Sequence, residues 1–167
     1  MSRSVTSRSD IAGENEQPAD FWISCIEGPE IPMEPGRLIY RNAGNIVSPL
    51  DISCLAAMDM AIRKFGVRKI VVCGHHECRC IEVEAFSGIS GQWLVPIKRI
   101  GTGGQISPKP DRISSERQRS EENVIEQARS VAATSVVKEA VAAGKQIEII
   151  GLIFDPKTDE LLTLVEL

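Results

Sequence analysis

The sequence predicts an α/β fold with parallel strands, on three observations. Residues 69–73 carry the β-branched run Ile70-Val71-Val72, the pattern of a strand buried on both faces. Ahead of it, Leu55, Met58, Ile62 and Phe65 recur at intervals of three and four, which lays out one apolar helical face. Before that helix, residues 21–26 form a short apolar stretch. Strand, helix and strand in this order make a βαβ unit, whose two strands lie parallel in one sheet.

The remaining elements follow in order. Residues 21–26 are apolar except for Ser24 and stop at Gly28-Pro29, a short buried strand and then a break. Leu38-Ile39-Tyr40, introduced by Pro35-Gly36, forms a second strand, and residues 41–45 a small-residue turn. Ser48-Pro49-Leu50-Asp51 starts the helix, either as a capping box with proline at its first position or with Asp51 as the cap. Gly66 ends it. Residues 101–119, with Gly101, Gly103, Gly104, Pro108, Pro110 and many charges, are expected as a loop. Residues 121–143 return to helical rhythm through Val124, Ala128, Val131 and Val141, up to Gly144. Residues 147–153 form another β-branched strand, 155–159 a turn and 161–165 a final strand, a terminal hairpin at the sheet edge.

A length of 167 residues suits one domain, here 20–167, preceded by a polar arm over 1–19 that is disordered or wraps a partner. The net charge of -4 and the absence of a long basic run argue against nucleic acid as a partner. Apolar stretches are strand-sized, short of the roughly 20 residues of a membrane helix. Residues 1–19 lack the apolar segment of a secretory signal, so the expected compartment is the cytoplasm. An outer final strand beside a polar arm predicts a dimer.

Five cysteines, an odd number in a chain able to build its own core, point to metal binding or buried thiols rather than disulfides. Cys25 stands near the end of the first strand, and His75 and Cys78 follow the end of another. The carboxyl ends of parallel strands gather on one edge, where open α/β sheets bind ligands. Two thiolates and an imidazole suit zinc, and three protein ligands with one open position make a catalytic site. Cys25 could instead be a small buried hydrophobe, and Cys80 is the one substitute ligand. Cys54 and Cys73 read as buried thiols, His76 as exposed or locally bonded, and Trp22 and Trp93 as core or interface residues.

Four blocks in unbroken order resemble the beta-class carbonic anhydrases: residues 21–26, 41–45, 70–78, and 150–155 with 158–161. The resemblance implies a central four-stranded parallel sheet with an antiparallel edge strand, flanked by helices. It implies one Zn(2+) per chain on Cys25, His75 and Cys78, and a homodimer or dimer of dimers. Reversible hydration of carbon dioxide to bicarbonate by zinc-bound hydroxide is the implied activity, with a small neutral molecule or bicarbonate as substrate. The alternatives are an impaired structural or regulatory homologue, or a hydrolase of carbonyl sulfide or carbon disulfide.

Two positions depart from the family pattern. An aspartate and an arginine are expected two and four residues after the first cysteine; here stand Glu27 and Pro29. Glu27 keeps the charge and is the candidate catalytic residue, but Pro29 offers no donor to restrain it. The expectation is that Glu27 closes the site, either by binding the metal or by swinging between the metal and water. Arg79, where the family has glycine, could replace the missing arginine from another direction.

Overall fold

A computed structural model of the protein describes residues 20–31, 34, 36–100 and 112–167. The arm expected over 1–19 and most of the loop expected over 101–119 lie outside them. Five strands make one sheet: β1 (Asp20–Cys25), β2 (Arg37–Asn42), β3 (Lys69–His75), β4 (Glu148–Asp155) and β5 (Glu160–Glu166). Their spatial order is β2-β1-β3-β4-β5; the first four are parallel and β5 runs antiparallel to β4. The four-stranded parallel sheet and its antiparallel edge are therefore as expected.

This order fixes where a ligand can sit. The chain leaves β1 for β2 on one side, then crosses to β3 on the other. The carboxyl ends of β1 and β3 consequently flank the topological switch point, where connections diverge and leave a crevice.

Side chains of one sheet face pack under α1 (Ile52–Arg63), α4 (Arg112–Ala133) and α5 (Ser135–Ala142). Phe21 and Ile23 of β1, Ile70 and Val72 of β3 and Ile149 of β4 meet Met58, Ile62, Ala128 and Val131 there. The opposite face carries Trp22, Val71 and Cys73 with Ile31. The strict alternation along β1 and β3 is the period of two that strands impose. Helix α4 lies close on β3 and β4 because Gly74 and Gly151 present no side chain to Val124.

One open alternative is settled and three local expectations change. Asp51, not Ser48, caps α1, accepting from the Cys54 amide at 3.2 Å, and Pro49 lies outside the helix. Helix α4 begins at Arg112, so residues 112–119, expected as loop, are helical. The single helix expected over 121–143 is two, because Thr134 leaves the helical conformation and caps α5 through the Val137 amide. Between β3 and α4 lie two short helices that the sequence pattern did not announce, α2 (Gly88–Trp93) and α3 (Val95–Lys98). No helix among the described residues is long and apolar enough to cross a membrane.

Candidate metal centre

Cys25 is the last residue of β1 and His75 the last of β3; both strands are central, adjacent and parallel, so the two side chains leave the sheet at one edge. The chain then turns through His76 and Glu77. The His76 amide donates to Phe154 O at 2.9 Å, and Glu77 takes a left-handed conformation with φ 58°. That turn brings Cys78 back over the strand ends. Cys25, His75 and Cys78 are all buried, and one ligand atom from each lies within 4.8 Å of the others, a group that could hold a metal ion.

Three details bear on what this group would bind. The sulfurs of Cys25 and Cys78 stand 3.7 Å apart. Two sulfurs each ~2.3 Å from a tetrahedral zinc would stand about 3.8 Å apart, so the pair is already spaced for it. His75 Nδ1 lies 2.9 Å from the carbonyl oxygen of His76, which can only accept, so Nδ1 carries the proton. Nε2 is then left with its lone pair, and it is buried without a hydrogen-bond partner. A hydrogen bond from the other ring nitrogen sets the tautomer of a metal-ligating histidine. Finally, the Gly44 amide donates to Cys25 Sγ at 3.4 Å, stabilising a thiolate.

The three groups shift one another's protonation. The hydrogen bond with Cys78, then that with Cys80, holds the Cys25 thiol far below its ordinary range, and the same bond pushes Cys78 up. Burial resists protonation of His75, but the adjacent Cys25 outweighs it and raises the pKa. Cys54 and Cys73 lie away from the group, each pushed up to about 12 by burial. They are buried thiols, as read.

Glu27 sits in the turn after β1, partly buried. It is not left unrestrained. Arg79 Nε donates to Glu27 Oε1 at 2.6 Å, and the Arg79 amide donates to Glu27 Oε2 at 3.0 Å. Glu27, Cys78 and Cys80 form a second group of ligand atoms within 4.8 Å that shares Cys78 with the first. Cys80 thus joins the Glu27 group rather than the histidine group. His76 is neither exposed nor locally bonded: it is buried, with Nε2 2.9 Å from Glu121 Oε1 on α4.

Two residues that carry the site were not singled out from the sequence. Arg41 donates to Cys25 O at 2.9 Å and Pro29 O at 2.7 Å, pinning both ends of the turn that carries Glu27. Gly44 can offer its amide to Cys25 because its φ of 77° suits glycine and because a Cβ there would meet Ile97 at 2.7 Å. The signal available was the compact block over residues 41–45. The wall round the thiols is apolar, made of Ile46, Ile81, Val83, Leu94 and Ile97, mostly from the short helical turns after Cys78.

The sequence pattern of the carbonic anhydrase family matches residues 22–161. A carbonic anhydrase of Emericella nidulans is 30% identical over 140 residues, 75% of this chain and 60% of its own length. One of Candida albicans is 31% identical over 100 residues, 54% of this chain and 36% of its own. The chain thus spans less than two thirds of either relative. Among solved structures, a tetrameric beta-carbonic anhydrase of Sordaria macrospora superposes with a TM-score of 0.79 at 27% identity, covering 92% of this chain and 84% of that one. The Coccomyxa beta-carbonic anhydrase gives 0.83 at 23% identity, covering 92% and 75%, a likeness of fold.

Proposed function

The chain belongs to the beta-class carbonic anhydrase family, and from that membership we propose that it hydrates carbon dioxide reversibly to bicarbonate at one zinc ion held by Cys25, His75 and Cys78. The observation that carries the reading is the free, buried Nε2 of His75 facing two sulfurs 3.7 Å apart. Bound zinc supplies Lewis acidity that makes water nucleophilic near neutral pH. The chain supplies the rest. Cys25 and Cys78 as thiolates balance the ion's two charges, and the apolar wall keeps that balance undiluted by solvent. Glu27, beside Cys78, accepts the proton or hydrogen bond of the reacting water. Its engagement with Arg79 favours this role over a closed, four-ligand structural site.

The same reading takes the protein as a homodimer or dimer of dimers. Support comes from the outer strand β5, which exposes Leu161 and Leu162, and from the tetrameric Sordaria relative. Five unpaired cysteines fit a reducing compartment such as the cytoplasm.

Elemental analysis of wild type and Cys78→Ser, with stopped-flow carbon dioxide hydration at pH 7 to 9, tests the proposal. One zinc per wild-type chain, lost with Cys78, and rates above the buffer reaction are expected. A zinc-loaded protein without hydration across that range would overturn the activity; zinc retained by Cys78→Ser would overturn the ligand set. Sedimentation at micromolar concentration should give a dimer or a multiple of it.

A further inference from the structure

Cys80 is a thiol that the zinc reading leaves unused, and it stands beside one of the ligands. Its sulfur and that of Cys78 lie within 4.8 Å of each other. Only Arg79 separates the two residues in the chain. It begins the 3-10 turn Arg79–Ile81, which the Ile81 amide closes on Cys78 O at 3.2 Å. A helical residue between two others draws their Cα atoms in from the about 7 Å of an extended pair. They then fall in the ~4.4–6.8 Å range that a disulfide spans. Exposure divides the five thiols into two classes. Cys25, Cys54 and Cys73 have no exposed surface, whereas Cys78 and Cys80 each keep 5%. The Arg79 side chain between them is 80% exposed, so a small oxidant meets this turn first.

We infer that Cys78 and Cys80 form a reversible modification site, at which a peroxide turns the metal ligand Cys78 into one half of a disulfide. The inference rests on the zinc reading above. Cys78 Sγ, as thiolate, attacks one peroxide oxygen: the S–O bond forms, the O–O bond breaks, and hydroxide leaves. The sulfur has lost two electrons and the peroxide has gained them. Cys80 Sγ then attacks the sulfenic sulfur of Cys78. The S–S bond forms, the S–O bond breaks, and the departing hydroxide takes the Cys80 proton to become water. A disulfide sulfur is no longer a thiolate ligand, so only Cys25 and His75 hold the metal and it is released. A dithiol reductant reverses the step by thiol–disulfide exchange. Cys25 is the competing partner, with its sulfur 3.7 Å from that of Cys78. To bond, that pair would have to close to about 2 Å. Cys25, however, is fixed at the end of a central strand and accepts from the Gly44 amide. Cys78 and Cys80 share one connecting turn, which can adjust without disturbing the sheet.

The test treats the full-length, zinc-loaded chain with hydrogen peroxide, following zinc release to a chromogenic chelator and mapping the products by peptide mass. Wild type should lose its zinc, give a Cys78–Cys80 disulfide with Cys54 and Cys73 still free, and take zinc up again after dithiothreitol. Cys80→Ser should bind one zinc before treatment. With no thiol at position 80 to resolve it, Cys78 should then pass on to the sulfinic or sulfonic acid, and reductant should not restore zinc binding. The mapping of wild type stands whether or not the variant folds. A Cys25–Cys78 disulfide overturns the inference, as does zinc kept with all five thiols through the treatment. Recovery by Cys80→Ser equal to that of wild type overturns it as well. A wild-type chain that takes up no zinc, or a Cys78→Ser chain that keeps it, overturns the zinc reading itself, and the inference with it.

Discussion

A methyl group at Gly74 would lie 2.4 Å from Val124 Cγ2. Gly74 immediately precedes the ligand candidate His75, so the bare backbone there does two things. It lets α4 settle on the sheet, and it fixes the height from which His75 leaves β3.

Gly74→Ala should therefore destabilise the protein by about 1–3 kcal/mol, the range for overpacking a tight core. Shortening the clashing partner should help, so Gly74→Ala/Val124→Ala should recover part of the loss. Urea unfolding of the three variants checks this; an unrecovered double variant would show that the contact with Val124 is not the cause.

Glu27→Gln keeps the shape of the side chain and removes its capacity to take a proton. Hydration should fall by roughly 100-fold or more, the contribution of a positioned acid or base, with zinc content unchanged. Paired stopped-flow and elemental measurements separate this from simple loss of the metal.

Asp155 is held down to about 2, from an ordinary 3.8, first by its hydrogen bond from Arg117 and then by that from the Lys157 amide. A carboxyl lowered on folding stabilises the folded chain above its unfolded pKa and loses that contribution as pH falls through the folded one. The advantage of wild type over Asp155→Asn should thus be full above pH 4 and shrink towards pH 2. Denaturant midpoints of both proteins across that window test the sign.

Cys54 and Cys73 have no exposed surface, and burial puts both thiols at about 12. Neither thiolate nor access is available, so a thiol reagent at pH 8 should leave both untouched until the chain unfolds. Mass mapping of labelled cysteines in native and denatured protein would show it.

The sequence by itself determined the sheet and the three metal-ligand candidates. The β-branched run before Gly74 and the apolar run ending at Cys25 each declare a buried strand, because burial on two faces selects such residues locally. Once the strands are parallel, their carboxyl ends must share an edge, so Cys25 and His75 converge as a matter of topology. The segment 112–119 resisted the same treatment. Its charged residues show no apolar period, and it is helical in a chain whose Arg117 and Arg119 reach Asp155 and Ile81 O. The break at Thr134 was equally hidden, since the apolar rhythm runs through it while the capping bonds interrupt the helix. Only the tertiary structure decided the partner of Glu27. Arg79 lies 52 positions away, and nothing in the local pattern of either residue specifies the other. Their meeting depends on the left-handed turn at Glu77 returning Cys78 over the end of β1, a long-range geometry that exists only when both strand ends are in place.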